Sequence, residues 1–225
     1  MTYVIACLAV IIYSLFVYRF IRSQSPDLKG TLWCVLFGIG AGVGAIGLEF
    51  LWNYLLGDFI STHHALIFLE SFVGVALIEE LCKWLFFVLI ISRWKKFDTY
   101  TDGILYACGI AAGFNLIEGN IYAYIEVNNV DILIRSITAV PAHFFFGIVM
   151  GYLFSRHQID GPGYLWASLF IPVILHGLYD FFILQQYADL LIGAALLVLI
   201  GCLSLSIWVC RIAMRADKIN AVDHL

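Results

Sequence analysis

Seven long apolar stretches follow one another along the chain and limit its possible folds more than any other feature. They fall at about residues 2–20, 31–57, 65–92, 103–126, 132–155, 163–187 and 188–210. A bilayer-spanning helix needs roughly 20 largely apolar residues, so seven such helices use about 140 residues of the chain. Only 12% of the residues are charged, about half of what soluble domains carry. We therefore predict an all-α transmembrane helix bundle with about seven spans, forming a single membrane domain over residues 1–225.

The basic residues predict how this bundle is oriented. Ten of the twelve Lys and Arg residues lie in alternate connections or in the tail, and these segments are expected on the cytoplasmic side. The N-terminus is then outside and the C-terminus is cytoplasmic. The first stretch lacks a basic n-region and a cleavage site, so we interpret it as a retained span. Arg135 lies just inside the fifth stretch and is expected to extend to the outer headgroups. The ten residues are Arg19, Arg22, Lys29, Arg93, Lys95, Lys96, Arg156, Arg211, Arg215 and Lys218.

Ionisable residues inside four of the predicted spans indicate a functional site. Each such group costs at least about 2.5 to 3.5 kcal/mol at the bilayer centre, and it usually faces a cavity or a partner. With the predicted topology, these residues from four helices lie at similar depth and can form one site. They are Glu79, Glu80 and Lys83 in the third span, Glu118 in the fourth, His143 in the fifth, and His176 and Asp180 in the sixth.

The spacing of these residues predicts specific pairs. Glu79 and Lys83 are four residues apart, so they share a helix face and can form an ion pair. Glu80 points about 100° away around the helix, so the two glutamates should have different roles. His176 and Asp180 are also four apart, and the aspartate can hold the imidazole in one tautomer.

Two hydrolytic chemistries and one transport function fit this residue set. A glutamate can activate water while the histidines donate protons or stabilise an oxyanion. Alternatively, His143, His176 and Glu80 can bind a zinc ion that lowers the pKa of its bound water. The spacing does not separate these hydrolase sites. A proton- or cation-coupled transporter would use the same residues as a relay, but the chain shows no internal repeat of the kind that many transporters have. No basic patch with interleaved aromatics suggests a nucleic-acid partner.

Four motifs occur in order within consecutive spans and resemble a known family. They are LIEELCKW (77–84), FDTYTDGILYACGIAAGFNLIEGNIY (97–122), PAHFFFGIVMGYLF (141–154) and LHGLYDF (175–181). In these motifs the chain resembles the PrsW family of membrane-embedded proteases, which is related to the CAAX-protease and bacteriocin-processing superfamily. The resemblance covers about residues 65–185, which we take as the catalytic core.

The resemblance implies a multi-pass peptidase of the bacterial cytoplasmic membrane. Such a peptidase cuts membrane-anchored proteins near the extracytoplasmic face, and family members are linked to the first cleavage of anti-sigma factors. Glu79 and Glu80 match the essential glutamates, and Glu80 is the first candidate for the base or a metal ligand. His143 and His176 match the two intramembrane histidines. The residues matched in supporting positions are Lys83, Glu118 and Asp180.

The chain departs from the family pattern at one point. The family has Asn directly after the glutamate of the fourth span, whereas Gly119 lies between Glu118 and Asn120 here. One residue turns the amide by about 100° on a helix, so we assign no role to Asn120.

Overall fold

The computed structural model describes residues 2–21, 27–61, 66–90, 93–94, 97–125, 128–184 and 189–223. Every regular element in these ranges is helical, as the apolar stretches predict. Three consecutive segments form the third apolar stretch, and the middle one is a π-helix. The helices are α1 (Thr2–Phe20), α2 (Leu28–Ser61), α3 (Ile67–Leu69), the π-helix (Glu70–Leu77), α4 (Ile78–Ile90), α5 (Tyr100–Ile125), α6 (Asn129–Ile137), α7 (Ala139–Ile159), α8 (Ala167–Leu184) and α9 (Asp189–Asp223).

Six helical stretches among the described residues are long and apolar enough to cross a membrane. They are Thr2–Phe20, Leu28–Gly57, Tyr100–Ile125, Asn129–Ile159, Ala167–Leu184 and Gly193–Ala221. The predicted third span is also helical, from Ile67 to Ile90, but it contains the charged Glu79, Glu80 and Lys83. The prediction of an all-α, multi-pass membrane protein is confirmed. The orientation of the termini stays a prediction.

Two predicted spans have different limits in the structure. The fifth, 132–155, is divided at Thr138 into α6 and α7. Pro141 accounts for the break, because a proline ring collides with the carbonyl group four residues earlier, which here belongs to Ile137 at the end of α6. The last, 188–210, is only the first part of the 35-residue α9. At about 1.5 Å per residue α9 is about 52 Å long, so it extends well beyond the roughly 30 Å hydrocarbon core.

Helix α5 forms the centre of the bundle. Every residue from Tyr100 to Asn115 is buried, and α5 packs against α1, α2, α7 and α9. Glycines let the α2 backbone approach closely. A Cβ atom on Gly109 would lie 2.8 Å from the Thr31 carbonyl oxygen, and one on Gly113 would lie 2.8 Å from the Ile39 nitrogen. Small residues at such crossings are how membrane helices gain close van der Waals packing.

The end of α5 nearest the predicted cytoplasmic face is capped by α9. Asp217 accepts hydrogen bonds from the backbone nitrogens of Tyr100 and Thr101 at 2.9 and 3.0 Å, and from the Thr101 hydroxyl at 2.7 Å. The first N–H groups of a helix have no partner within the helix, and a carboxylate there also matches the helix dipole. The long α9 therefore closes the bundle at the end opposite to the site described below.

The π-helix leads directly into the segment that carries Glu79 and Glu80. Trp52 of α2 donates a hydrogen bond to Glu70 Oε2 at 2.7 Å, which anchors the start of the π-helix. On its other side α8 packs so closely that a Cβ on Gly177 would meet the Phe72 ring. This contact brings His176, next to Gly177 in the chain, beside α4.

We expect Gly113→Ala to destabilise the protein, because the added Cβ would meet the backbone of α2. Overpacking of this kind costs about 1–3 kcal/mol, and each kcal/mol lowers Tm by about 2–4 °C at this chain length. The matched control is Gly47→Ala on α2, where an added Cβ has nothing within 4 Å. Thermal unfolding in detergent measures both. Equal Tm values for the two variants would contradict the close α2–α5 contact.

Candidate active site

Four buried residues from α4, α7 and α8 converge at one point. Glu79, Glu80, His143 and His176 each offer one ligand atom, and these atoms all lie within 4.8 Å of one another. None of the four residues is more than 5% exposed. The structure thus brings together the glutamate pair and the two histidines that sequence spacing and predicted depth placed in one site. We call these four residues the cluster.

The side chain of Lys83 lies within the cluster and contacts three of its members. Its Nζ atom is 2.8 Å from Glu80 Oε1, 3.2 Å from Glu79 Oε2 and 2.9 Å from His143 Nδ1. It also lies 3.7 Å from the centre of the Phe114 ring. The predicted Glu79–Lys83 pair is present, and Glu80 joins it. The two glutamates point in different directions around the helix axis. Both still reach Lys83, because it follows Glu80 by three residues and Glu79 by four.

The two histidines have different further partners. His143 Nε2 is 2.8 Å from Glu118 Oε2, whereas His176 Nδ1 is 3.0 Å from Glu80 Oε1. The other nitrogen of His176 lies 3.1 Å from Asp180 Oδ2. That oxygen accepts no hydrogen bond of good geometry, so this contact is a close approach of an imidazole to a carboxylate. The predicted supporting residues Glu118 and Asp180 therefore each contact one histidine.

The sequence suggested that Arg135 extends to the outer headgroups. In the structure its guanidinium group has partners within the protein. Its Nη2 atom lies 2.5 Å from Glu118 Oε1, and its guanidinium group stacks over Tyr122 at 3.3 Å from the ring centre. The break at Thr138 turns the end of α6 toward α5, which makes this pairing possible. The sequence shows that Glu118 and Arg135 lie on either side of the short connection between α5 and α6. It does not show the distance between their side chains.

Sequence reasoning also missed an aromatic wall of the site. The Phe146 ring stacks on His176, with ring centres 4.9 Å apart and planes 22° apart. Phe146 follows His143 by three residues, so it lies on the same face of α7, and this spacing was the signal. Asn120, to which we assigned no role, donates hydrogen bonds toward Leu116 O and Cys7 Sγ instead.

A cavity of about 210 Å³ extends from the cluster to the surface between α6 and α8. Glu79, His143 and His176 line its inner part. Its outer part is lined by Ile134 from α6 and by residues at the end of α8, including Leu184. Both of these outer residues are at least 40% exposed. Glu80 does not line the cavity and is 1% exposed, so the two glutamates differ in access.

Comparison with known proteins identifies the family. The family described as "PrsW family intramembrane metalloprotease" matches residues 26–207, a segment that contains the cluster, Lys83, Glu118 and Asp180. The chain belongs to this family.

Several proteins called Protease PrsW are similar to the chain. The one from Clostridioides difficile is 32% identical over 159 residues, and the one from Oceanobacillus iheyensis is 33% identical over 143 residues. These alignments cover 67% and 62% of the chain, and 66% of each relative. Protease PrsW of Shouchella clausii is 27% identical over 207 residues, covering 90% of the chain and 93% of that relative. No solved structure matches the chain.

The PrsW family is described as a metalloprotease family, and the cluster fits a metal ion. Imidazole nitrogens and carboxylate oxygens are ligands that zinc takes in proteins. In addition, Glu80 Oε2 is a buried oxygen without a hydrogen-bond partner, which a cation would satisfy. Glu79 belongs to this donor set as well as the expected His143, His176 and Glu80. Lys83 contacts the same atoms, so an ion and the ammonium group would compete for them.

We expect Lys83→Met to destabilise the metal-free protein strongly. Removing one partner of a buried ion pair leaves uncompensated charge and costs about 3–5 kcal/mol. Zinc should restore part of the loss in this variant, because a cation replaces the missing positive charge. Thermal unfolding with and without zinc measures this. Lys29→Met, at an exposed position in α2, is the control, and an equally stable metal-free Lys83→Met protein would contradict the arrangement.

Proposed function

We propose that the protein is a membrane-embedded endopeptidase that hydrolyses membrane-anchored proteins near the extracytoplasmic face. The observation that carries this proposal is the cluster of two glutamates and two histidines, buried together and reached by a cavity. Membership of the PrsW family supports the reaction type. We extend the proposal to a membrane-anchored anti-sigma factor as substrate, because the family resemblance implies that class.

The positions of the two glutamates favour a division of labour. Glu79 lines the cavity, so its carboxylate can take a proton from the attacking water and return it to the leaving amine. Glu80 is deeper and contacts Lys83 and His176, which suits an anchoring or ligand role. This reverses the order suggested by sequence, in which Glu80 was the first candidate for the base. Access to the cavity is the reason for the change.

The other residues of the site orient Glu79 and Glu80, compensate their charge or would bind a metal ion with them. A metal ion such as zinc, held by Glu80, His143 and His176, would supply Lewis-acid chemistry at the scissile carbonyl group. His143 lines the cavity, and the contact of its Nε2 with Glu118 leaves Nδ1 as the atom that would hold the ion. Asp180 lies beside His176 and orients its ring. Lys83 offsets the negative charge of both carboxylates.

The shape of the cavity indicates how a substrate approaches. Its mouth lies between the second half of α6 and the end of α8, on the predicted extracytoplasmic side of the cluster. A peptide bond within a helix is enclosed by the hydrogen bonds and side chains of its own helix. We therefore propose that the substrate segment enters in an extended form. Helix-breaking residues near the cleavage site would favour this entry.

The test compares peptide-bond cleavage by wild type, Glu79→Gln and Asp102→Asn. We expect Glu79→Gln to lose about 10²- to 10⁴-fold in rate, the usual contribution of a general base. Asp102→Asn replaces a buried carboxylate on α5 outside the cavity and should retain activity. New N-termini in the membrane proteome of expressing cells, and then cleavage of the identified protein in liposomes, provide the measurement.

Two results would contradict the proposal. Unchanged cleavage by Glu79→Gln would remove that residue as the base. Glu79-dependent proton or cation uptake into liposomes, without any new N-termini, would instead identify the transporter function that the sequence also allowed.

We expect Ile134→Trp to slow cleavage of a membrane-anchored substrate at least tenfold, because the larger side chain narrows the cavity mouth. Ile137→Trp is the matched control. Ile137 lies on the same helix and is similarly exposed, but it lines a separate apolar groove beside α1 and α9. The kcat/KM values of purified variants with equal Tm give the comparison. Equal values would show that substrates do not pass between α6 and α8.

A further inference from the structure

Arg135 lies outside the cluster yet connects to it through one carboxylate. Glu118 uses one oxygen for Arg135, at 2.5 Å, and the other for His143 Nε2, at 2.8 Å. The two partners come from different helices, since Arg135 belongs to α6 and His143 to α7. Glu118 is therefore clamped between them, and its orientation depends on both.

The contact on the other side of His143 decides which ring nitrogen carries the proton. Nδ1 lies 2.9 Å from Lys83 Nζ, and an ammonium group has three donors and no acceptor. Nδ1 must therefore accept this bond with its lone pair. The proton of a neutral ring then belongs on Nε2, where it is donated to Glu118 Oε2. This tautomer directs the Nδ1 lone pair toward the cluster.

Arg135 is well suited to hold Glu118 in this position. The guanidinium is planar, always charged, and presents donors in a fixed fork. Stacking over Tyr122 restricts its position further. At 29% side-chain exposure it is screened less than a fully exposed arginine. Without it, the Glu118 carboxylate would keep His143 as partner but lose the contact that fixes its other oxygen.

We propose that Arg135 is a positioning residue that acts through Glu118 to hold His143 with its Nδ1 lone pair directed into the cluster. The proposal deepens the proposed function, since it assumes that His143 belongs to the active site. It assigns no contact between Arg135 and substrate. Groups that hold the far nitrogen of a ligating histidine typically change metal affinity 10- to 100-fold when they are removed.

The first experiment determines the His143 tautomer in metal-free protein by ¹⁵N NMR of histidine-labelled protein in detergent. The signals of His143 are assigned by their loss in His143→Gln. We expect wild type to show the Nε2–H form alone. Arg135→Gln should keep this form, because Lys83 still contacts Nδ1. Its Nε2 resonance should shift as the contact with Glu118 loosens, and Arg135→Lys should shift it less.

The second experiment measures affinity for zinc alone by competition with a chelator. We expect Arg135→Gln to bind zinc about tenfold more weakly than wild type, the lower end of the range for groups that contact a ligating histidine directly, with Arg135→Lys in between. Arg156→Gln is the matched control, because Arg156 forms an Arg–carboxylate pair with Asp160 at the other end of α7. This control should bind zinc within about twofold of wild type.

The outcomes are separable from those of the cleavage test. The same His143 Nε2 resonance in wild type and Arg135→Gln, with equal zinc affinity, would overturn the positioning role even if the protein is a protease. A shifted Nε2 resonance with weaker zinc binding in Arg135→Gln would support it even if no substrate is cleaved. If Arg135→Gln does not fold, Tyr122→Leu removes the stacking partner instead, and a smaller shift in the same direction is expected.

Discussion

The contact of Lys83 with two buried glutamates is the interaction on which the rest of the site depends. Two adjacent carboxylates in an apolar interior would repel each other and lose their hydration, which is far more costly than any single packing defect. The Lys83 ammonium group lies within 3.2 Å of both and compensates their charge. It also contacts His143, so the same group that neutralises α4 joins it to α7.

Two series of polar contacts begin at this ammonium group and extend through the bundle. One branch passes through His143 and Glu118 to Arg135, and the other through Glu80 and His176 to Asp180. Each member has an oppositely charged or hydrogen-bonding neighbour, which is how ionisable residues persist in membrane interiors. These polar contacts join α4, α5, α6, α7 and α8. They therefore fix the helices relative to one another and also orient the ionisable groups.

The surroundings of these polar contacts differ between the two ends of the bundle. Toward the predicted cytoplasmic end, the buried residues of α5 pack closely against α2. The cap from Asp217 closes that end further. At the opposite end, the break between α6 and α7 leaves a gap beside α8. The cavity therefore opens on the predicted extracytoplasmic side, where the proposed hydrolysis would take place.

The sequence by itself determined the fold class, the family motifs and the identity of the seven ionisable residues, because long apolar runs and buried charges have few physical solutions in a bilayer. Helical periodicity also determined the Glu79–Lys83 and His176–Asp180 pairs, which are local. Only the tertiary structure decided that Glu79 rather than Glu80 faces the cavity, that Phe146 stacks on His176, and that Arg135 reaches Glu118. These relations depend on the break at Thr138 and on how helices rotate against one another. In an apolar chain nearly every helix face is hydrophobic, so the sequence pattern carries little information about that rotation.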